Sequence, residues 1–291
     1  MKRPIVAGVD TSPGSLAAAH YAASLAVRRE TSLTLIHVYE SFFHGYGPLM
    51  VAASYATIDA QVRDAAKAAL ANMAAELRTA YPGLSIEAQL RDGFAAQVLI
   101  SESQDALATV VGSRGLGGFA ELMVGSVSAQ VATHGHGPII VVRPAPAPDG
   151  PVLVGYDGSD AAAAALDFAA HEAISRGVRL VVANVYWEKP WGFGPEPVED
   201  PKITAERQAH DLVKDGLELL LEAHPELQGE ALLLHSLNPE HSLVEESAKA
   251  SLTVVGCRGR GGFAGLLLGS VSRTLIHHAA GPVAVIHPTE H

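Results

Sequence analysis

The sequence predicts two tandem α/β domains, each an open parallel five-stranded sheet in the order 3-2-1-4-5 with helices on both faces. Three observations predict it. Residues 112–128 read GSRGLGGFAELMVGSVS and residues 256–272 read GCRGRGGFAGLLLGSVS, so the chain repeats at an offset of 144. Short apolar runs alternate with segments of helical period in both halves. A proline-rich join, Pro144-Ala145-Pro146-Ala147-Pro148-Asp149-Gly150-Pro151, separates them. Proline stiffens such a connection and blocks ladder pairing. The expected domains are residues 1–144 and 151–291.

Taken in order, the first half offers β-rich apolar runs at Ile5–Val9, Leu33–Val38, Leu84–Leu90, Leu107–Val111 and Pro138–Val142. Between the first two, Ala18, Tyr21, Ala22 and Leu25 share one helical face. Ala66, Leu70, Met73 and Leu77 share another before the third run. In the second half the runs are Val152–Tyr156, Leu180–Val185, Ala231–His235, Leu252–Val255 and Pro282–Ile286. Asp200-Pro201 reads as an N-cap with proline at the first helical position. Val213, Leu217, Leu220 and Leu221 are expected to form the buried face of that helix. Near-continuous apolar strands separated by helices imply a mostly parallel sheet covered on both faces.

Composition narrows the function. Hydrophobic residues make up 48% of the 291 and charged residues 18%, which suits well-buried globular domains. A formal net charge of −11 disfavours general binding to nucleic acid or to anionic membrane, since both need a positive field. The single cysteine, Cys257, rules out an intramolecular disulfide and suits a reducing compartment. The N-terminal apolar stretch is too short for a signal peptide, and no run approaches the roughly 20 apolar residues of a membrane span. A cytoplasmic protein is expected.

The repeated loop is the strongest chemical signal. It has the form Gly112-x2-Gly115-x9-Gly125-Ser126, and again Gly256-x2-Gly259-x9-Gly269-Ser270. It leaves the fourth strand and feeds a helix opening at the serine. Glycine lets backbone N–H groups approach an anion closely, and a helix N-terminus adds free N–H groups and a positive dipole end. Ser126, Ser128, Ser270 and Ser272 add hydroxyls. These parts suit a polyphosphate, and a side chain at Gly115 is expected to fill the phosphates' space. A second feature is the aspartate closing the first strand, Asp10 or Asp157, followed by Ser12 or Ser159. Ligands of open α/β sheets bind at the switch point beyond the strand C-termini, here between strands one and four. The aspartate would face the Gly112 or Gly256 loop there. Repulsion from phosphates assigns it to the base or ribose end, or else it caps the first helix in competition with the serine.

The glycine spacing, the strand ends Gly8-Val9-Asp10 and Gly155-Tyr156-Asp157, and the Gly-Pro before the last strand resemble the universal stress protein family over nearly the whole chain. The resemblance implies the ATP-binding branch: loop glycines and serines on ribose and phosphates, Asp10, Val38, Asp157 and Val185 on the adenine. The residues assigned in the first half are Gly8, Asp10, Val38, Gly112, Ser113, Arg114, Gly115, Gly117, Gly118, Gly125, Ser126, Val127 and Ser128. In the second they are Gly155, Asp157, Val185, Gly256, Arg258, Gly259, Gly261, Gly262, Gly269, Ser270, Val271 and Ser272. The implied cofactor is ATP with Mg²⁺. The resemblance also implies that the halves pair through their last strands, that chains dimerise, and that a protein partner of unknown identity responds.

Other chemistries fit less well. Gly115-x-Gly117-x-x-Ala120 and Gly259-x-Gly261-x-x-Ala264 meet a loose dinucleotide pattern, but after the fourth strand and without the trailing acid. Neither a P-loop nor a nucleophile elbow is present. Fourteen histidines include His134, His136, His277 and His278, without the spacing of a metal site. Cys257 replaces Ser113 and reads as a small-residue swap rather than a redox switch. ATP hydrolysis is the alternative to plain binding; Arg114, Arg258 and Arg260 could clamp leaving charge, but no base presents itself. Arg260 in place of Leu116, and Gly265 in place of Glu121, make the second loop more positive, so tighter ATP binding is expected there.

Overall fold

A computed structural model describes residues 2–40, 53–115, 124–188, 200–261 and 267–288. It divides into two compact units, Met1–Arg143 and Pro144–His291.

The first unit runs β1 (Ile5–Gly8), α1 (Pro13–Arg28), β2 (Leu33–Tyr39), α2 (Ala53–Ala80), β3 (Ile86–Asp92), α3 (Ala95–Ser103), β4 (Ala108–Gly112), α4 (Ser126–His134) and β5 (Pro138–Val142). Its strands lie in the order β3-β2-β1-β4-β5, all parallel. Register sets Ile5 against Leu33 on one side and Ala108 on the other. Central β4 is buried along its whole length, whereas edge strand β3 buries only Ile86 fully. That contrast follows from the layers: α1 and α2 pack together, and α3 packs with α4.

The second unit repeats the plan with β6 (Val152–Gly155), α5 (Asp160–Arg176), β7 (Leu180–Tyr186), α6 (Pro201–Ala223), β8 (Gly229–His235), α7 (Pro239–Ser247), β9 (Leu252–Gly256), α8 (Ser270–His278) and β10 (Val283–Ile286). The order is β8-β7-β6-β9-β10, again parallel. All ten expected strands are present, with ends shifted by a residue or two.

Local chemistry explains the helix ends. Ser12 caps α1, its Oγ accepting from Ser15 N at 3.1 Å, and Pro13 follows at the first helical position. Ser159 caps α5 in the same way through Ala162 N at 3.3 Å. Helix α5 stops at Gly177, whose φ of 67° is the left-handed conformation that glycine adopts without penalty. Asp200 caps α6 through Lys202 N at 2.9 Å, with Pro201 next, as expected. One expected helix face needs correction. Leu221 is exposed, and the buried seam of α6 is Val213, Gly216, Leu217 and Leu220. Gly216 belongs to that seam with the Tyr156 ring close against it: a Cβ there would come within 3.0 Å of Tyr156 Cε1.

Candidate functional site

In each unit the chain turns away from the sheet at the C-terminal ends of the two central strands. The two glycine loops are built alike. Ser113 N donates to Val142 O at 2.8 Å, and Gly125 N donates to Ser113 O at 2.8 Å. Their counterparts are Cys257 N to Ile286 O at 2.9 Å and Gly269 N to Cys257 O at 2.8 Å. Each loop is therefore pinned to the fifth strand at its start and closed on itself at its end. Buried Ser128 locks it further, donating to Gly112 O at 2.6 Å; Ser272 donates to Cys257 O at 2.9 Å. These two hydroxyls are spent on the loop. Those of Ser126 and Ser270, the first residues of α4 and α8, are exposed.

The aspartates brace the loops from across the switch point. Asp10 Oδ1 accepts from Ser12 N at 2.8 Å, and Asp157 Oδ1 accepts from Ser159 N at 3.0 Å. In the second unit Asp157 Oδ2 also accepts the backbone N–H of Arg260 at 2.8 Å. Asp10 and Asp157 thus face the loops as expected, while capping of α1 and α5 falls to the serines. This overturns one detail. A Cβ at Gly115 would run into Asp10 Oδ2, and one at Gly259 into Asp157 Oδ2, so a side chain there meets the aspartate first.

The glycines divide by what surrounds them. Gly112 and Gly256 lie against backbone: a Cβ would come within 2.8 Å of Gly14 O in the first case and 2.6 Å of Ala161 C in the second. Gly8 packs under Leu99 of α3 and Gly155 under Leu243 of α7. Gly125, Gly269 and Gly261 differ. At Gly125 and Gly269 the nearest atom to an added Cβ stands at 3.7 and 3.6 Å, and at Gly261 nothing lies within 4 Å. The backbone there is ordinary, with φ of −72° at Gly125 and −73° at Gly269. Neither packing nor conformation asks for glycine at these positions. At Gly261 the space is open, and at Gly125 and Gly269, just before the first turn of α4 and α8, a methyl group would rest in ordinary contact with the loop. A bound polyphosphate fits that cradle. Gly117, Gly118 and Gly262 lie outside the described residues, as do Leu116, Glu121 and Gly265.

In the second unit the loop walls a cleft of about 680 Å³, within the range of small-molecule sites. Gly155, Asp157, Val185, Gly256, Arg258, Gly259, Gly261, Gly269, Ser270, Val271 and Ser272 all line it. Helix α6 supplies the facing wall with Ala205, Gln208, Ala209 and Leu212. Tyr186 and Trp187 close the end next to Val185. In the first unit Val38 holds the register position of Val185, one residue before the end of β2, and Val127 is half-buried in the first turn of α4.

Sequence reasoning missed one recurrent pair. Asn184 Nδ2 donates to Tyr156 O at 2.7 Å, and His37 Nδ1–H donates to Val9 O at 2.9 Å. Both side chains hold the carbonyl of the residue before the aspartate. The signal was present as one polar residue in each second strand, directly before Val38 or Val185.

Electrostatics favour an anion at the loops. Arg114, Arg258 and Arg260 are exposed. Arg143, just after β5, has its pKa lowered by burial first and then by Arg114, so two guanidinium charges stand near each other behind the first loop's start. Burial pushes the Cys257 thiol up, against the opposing influence of Arg258, which makes it a poor nucleophile. Among the described residues no three His, Cys, Asp or Glu side chains gather as a metal site, and no helix is long and apolar enough to cross a membrane.

Comparison with known proteins gives a consistent result. The sequence model described as the universal stress protein family matches residues 1–143 and 150–287. A universal stress protein of Mycolicibacterium smegmatis is 34% identical over 292 residues, covering 98% of this chain and 97% of the relative. One from Mycobacterium tuberculosis H37Rv is 32% identical over 289 residues, covering 97% and 96%. Among solved structures, a universal stress protein from Archaeoglobus fulgidus superposes with a TM-score of 0.70 at 20% identity, covering 98% of this chain and 96% of that one.

Proposed function

The chain belongs to the universal stress protein family, and on that premise we propose that each half is an ATP-binding module whose loading sets the protein's conformation or choice of partner. The observation that carries this reading is the glycine loop at the head of α4 and α8, where Gly125 and Gly269 would admit a methyl group without a clash and Gly261 faces open space. The phosphates would take the loop N–H groups and the first turn of α4 or α8, with Ser126 or Ser270 donating. The base would lie toward Val38 or Val185, beside the aspartate. Mg²⁺ would arrive with the nucleotide, held by phosphates and water more than by protein.

Binding without efficient turnover suits the site better than catalysis. Asp157 already accepts from two backbone N–H groups, and among the described residues the other charged side chains lining the second cleft are all arginines. Water activation would need a base that this lining does not offer. The test is to identify the nucleotide that copurifies with the protein, then to count product per chain during incubation with ATP and Mg²⁺. Recovered ATP with little product supports the reading. Recovery of no nucleotide, with no ATP taken up on titration, would reject it.

A further inference from the structure

Among the described residues, four charged side chains line the second cleft: Asp157 and three arginines, Arg258, Arg260 and Arg273. The chain as a whole carries −11, so this is a local reversal of sign. Arg258 is partly engaged by the Cys257 sulfur. Arg260 and Arg273 are exposed, and among the described residues neither is paired with a carboxylate. They come from different elements. Arg260 sits in the glycine loop, where its backbone N–H is fixed on Asp157 and its guanidinium lies over Gly158, with Nη2 3.4 Å from where a Cβ of that glycine would stand. Gly158 has a φ of 78°, a turn conformation open to glycine, and Thr11 holds this place in the first half. Arg273 projects from α8, one turn after Ser270. In the first half the corresponding residues are Leu116 and Ala129.

We propose that Arg260 and Arg273 make the second cleft a reader of phosphate-chain length, selecting a nucleoside triphosphate over the monophosphate with the same base. This rests on the nucleotide reading of the site. Its physics is charge counting: each phosphate added beyond the first adds negative charge, and the attraction of exposed guanidiniums for the ligand grows with it. The loop N–H groups, which both halves share, serve phosphates in either half, and the two arginines add to that hold in the second alone. The first half keeps that shared part and lacks the two arginines.

The chain provides its own reporter. Its two tryptophans, Trp187 and Trp191, both lie in the second half, and Trp187 lines the cleft. Tryptophan emission therefore follows the second site in the full-length protein, with equilibrium dialysis as an independent measure of binding. ATP, AMP and inorganic tripolyphosphate are titrated into the wild type, R260Q, R273Q and the double variant, with circular dichroism confirming the fold of each. The double variant is expected to lose about tenfold or more in affinity for ATP and tripolyphosphate while AMP changes by less than about twofold. Parallel weakening of ATP and AMP, or no change in either, would overturn the proposal. Tripolyphosphate binding that depends on both arginines, in a protein with no preference for an adenine nucleotide, would uphold the anion reader and reject the nucleotide reading. A wild type that binds neither tripolyphosphate nor ATP more tightly than AMP would overturn the reader itself.

Discussion

The backbone N–H of Arg260 donates to Asp157 Oδ2 at 2.8 Å, tying together residues 103 positions apart. The same carboxylate accepts from Ser159 N at 3.0 Å. One side chain thus holds both the first helix and the glycine loop at the mouth of the second cleft. Asp10 stands in the same place in the first half, against Gly115.

Replacing Asp157 should loosen the loop in a way that depends on hydrogen bonding as well as charge. In D157A both acceptors are gone. In D157N one backbone N–H must face the amide's NH₂, donor against donor. Both variants are expected to lower the stability of the second unit by about 1–2 kcal/mol and to weaken its nucleotide binding, with D157N nearer to D157A than to wild type. Denaturant unfolding and tryptophan-detected titration check this. A D157N protein that behaves as wild type would show the brace to be incidental.

The glycines should separate into two kinds under the same small change. Gly269→Ala adds a methyl group in ordinary contact with Arg258 Cα and Cys257 O at 3.6 Å, so stability should hold while nucleotide affinity falls. Gly256→Ala pushes the methyl into Ala161 backbone, so the fold itself should lose about 1–3 kcal/mol. Thermal unfolding beside ATP titration distinguishes them. Unchanged affinity in Gly269→Ala would mean that the cradle is not where the ligand sits.

The buried donor on the second strand should matter to the same carbonyl in both halves. Asn184→Leu keeps the branching at Cγ and leaves Tyr156 O without its partner, at a cost of about 1–3 kcal/mol. Asn184→His, which imports the first half's solution, should recover part of that loss. Denaturant midpoints for the two variants give the answer. Equal losses in both would mean that packing, not the hydrogen bond, decides the site.

Alkaline pH should expose the cost of ionising a buried phenol in the first half. Tyr39 is buried, and its Oη donates to Asp59 Oδ1 at 2.6 Å. Burial first, then the hydrogen bond and charge of Asp59, raise its phenol from 10.0 to about 12. The folded state therefore holds this proton more tightly than the unfolded chain. The stability it contributes is whole below pH 10.0 and is lost as pH rises toward about 12. Tyr39→Phe should flatten that part of the stability profile measured by urea unfolding. An unchanged slope would place the alkaline loss elsewhere.

How much of this was legible in the sequence follows from what kind of interaction each feature uses. The repeat, the ten strands and the loop-to-helix junctions rest on period, glycine spacing and caps, all local along the chain. Leu221 was misplaced because it and Leu220 point about 100° apart on the helix, and period alone does not say which of the two faces the sheet. The aspartates were ambiguous for a similar reason. An acid before a helix can cap it, and only the fold brings it against a loop some hundred residues away. His37 and Asn184 differ chemically, so their shared task appears only when both are seen on the same carbonyl position.

Isothermal titration of the full-length chain with ATP in the presence of Mg²⁺ decides whether both halves carry a working nucleotide site. Two ATP should bind per chain, falling to one in either Gly125→Ala or Gly269→Ala while the fold persists. Saturation at one ATP in the wild type, or no binding at all, would contradict it.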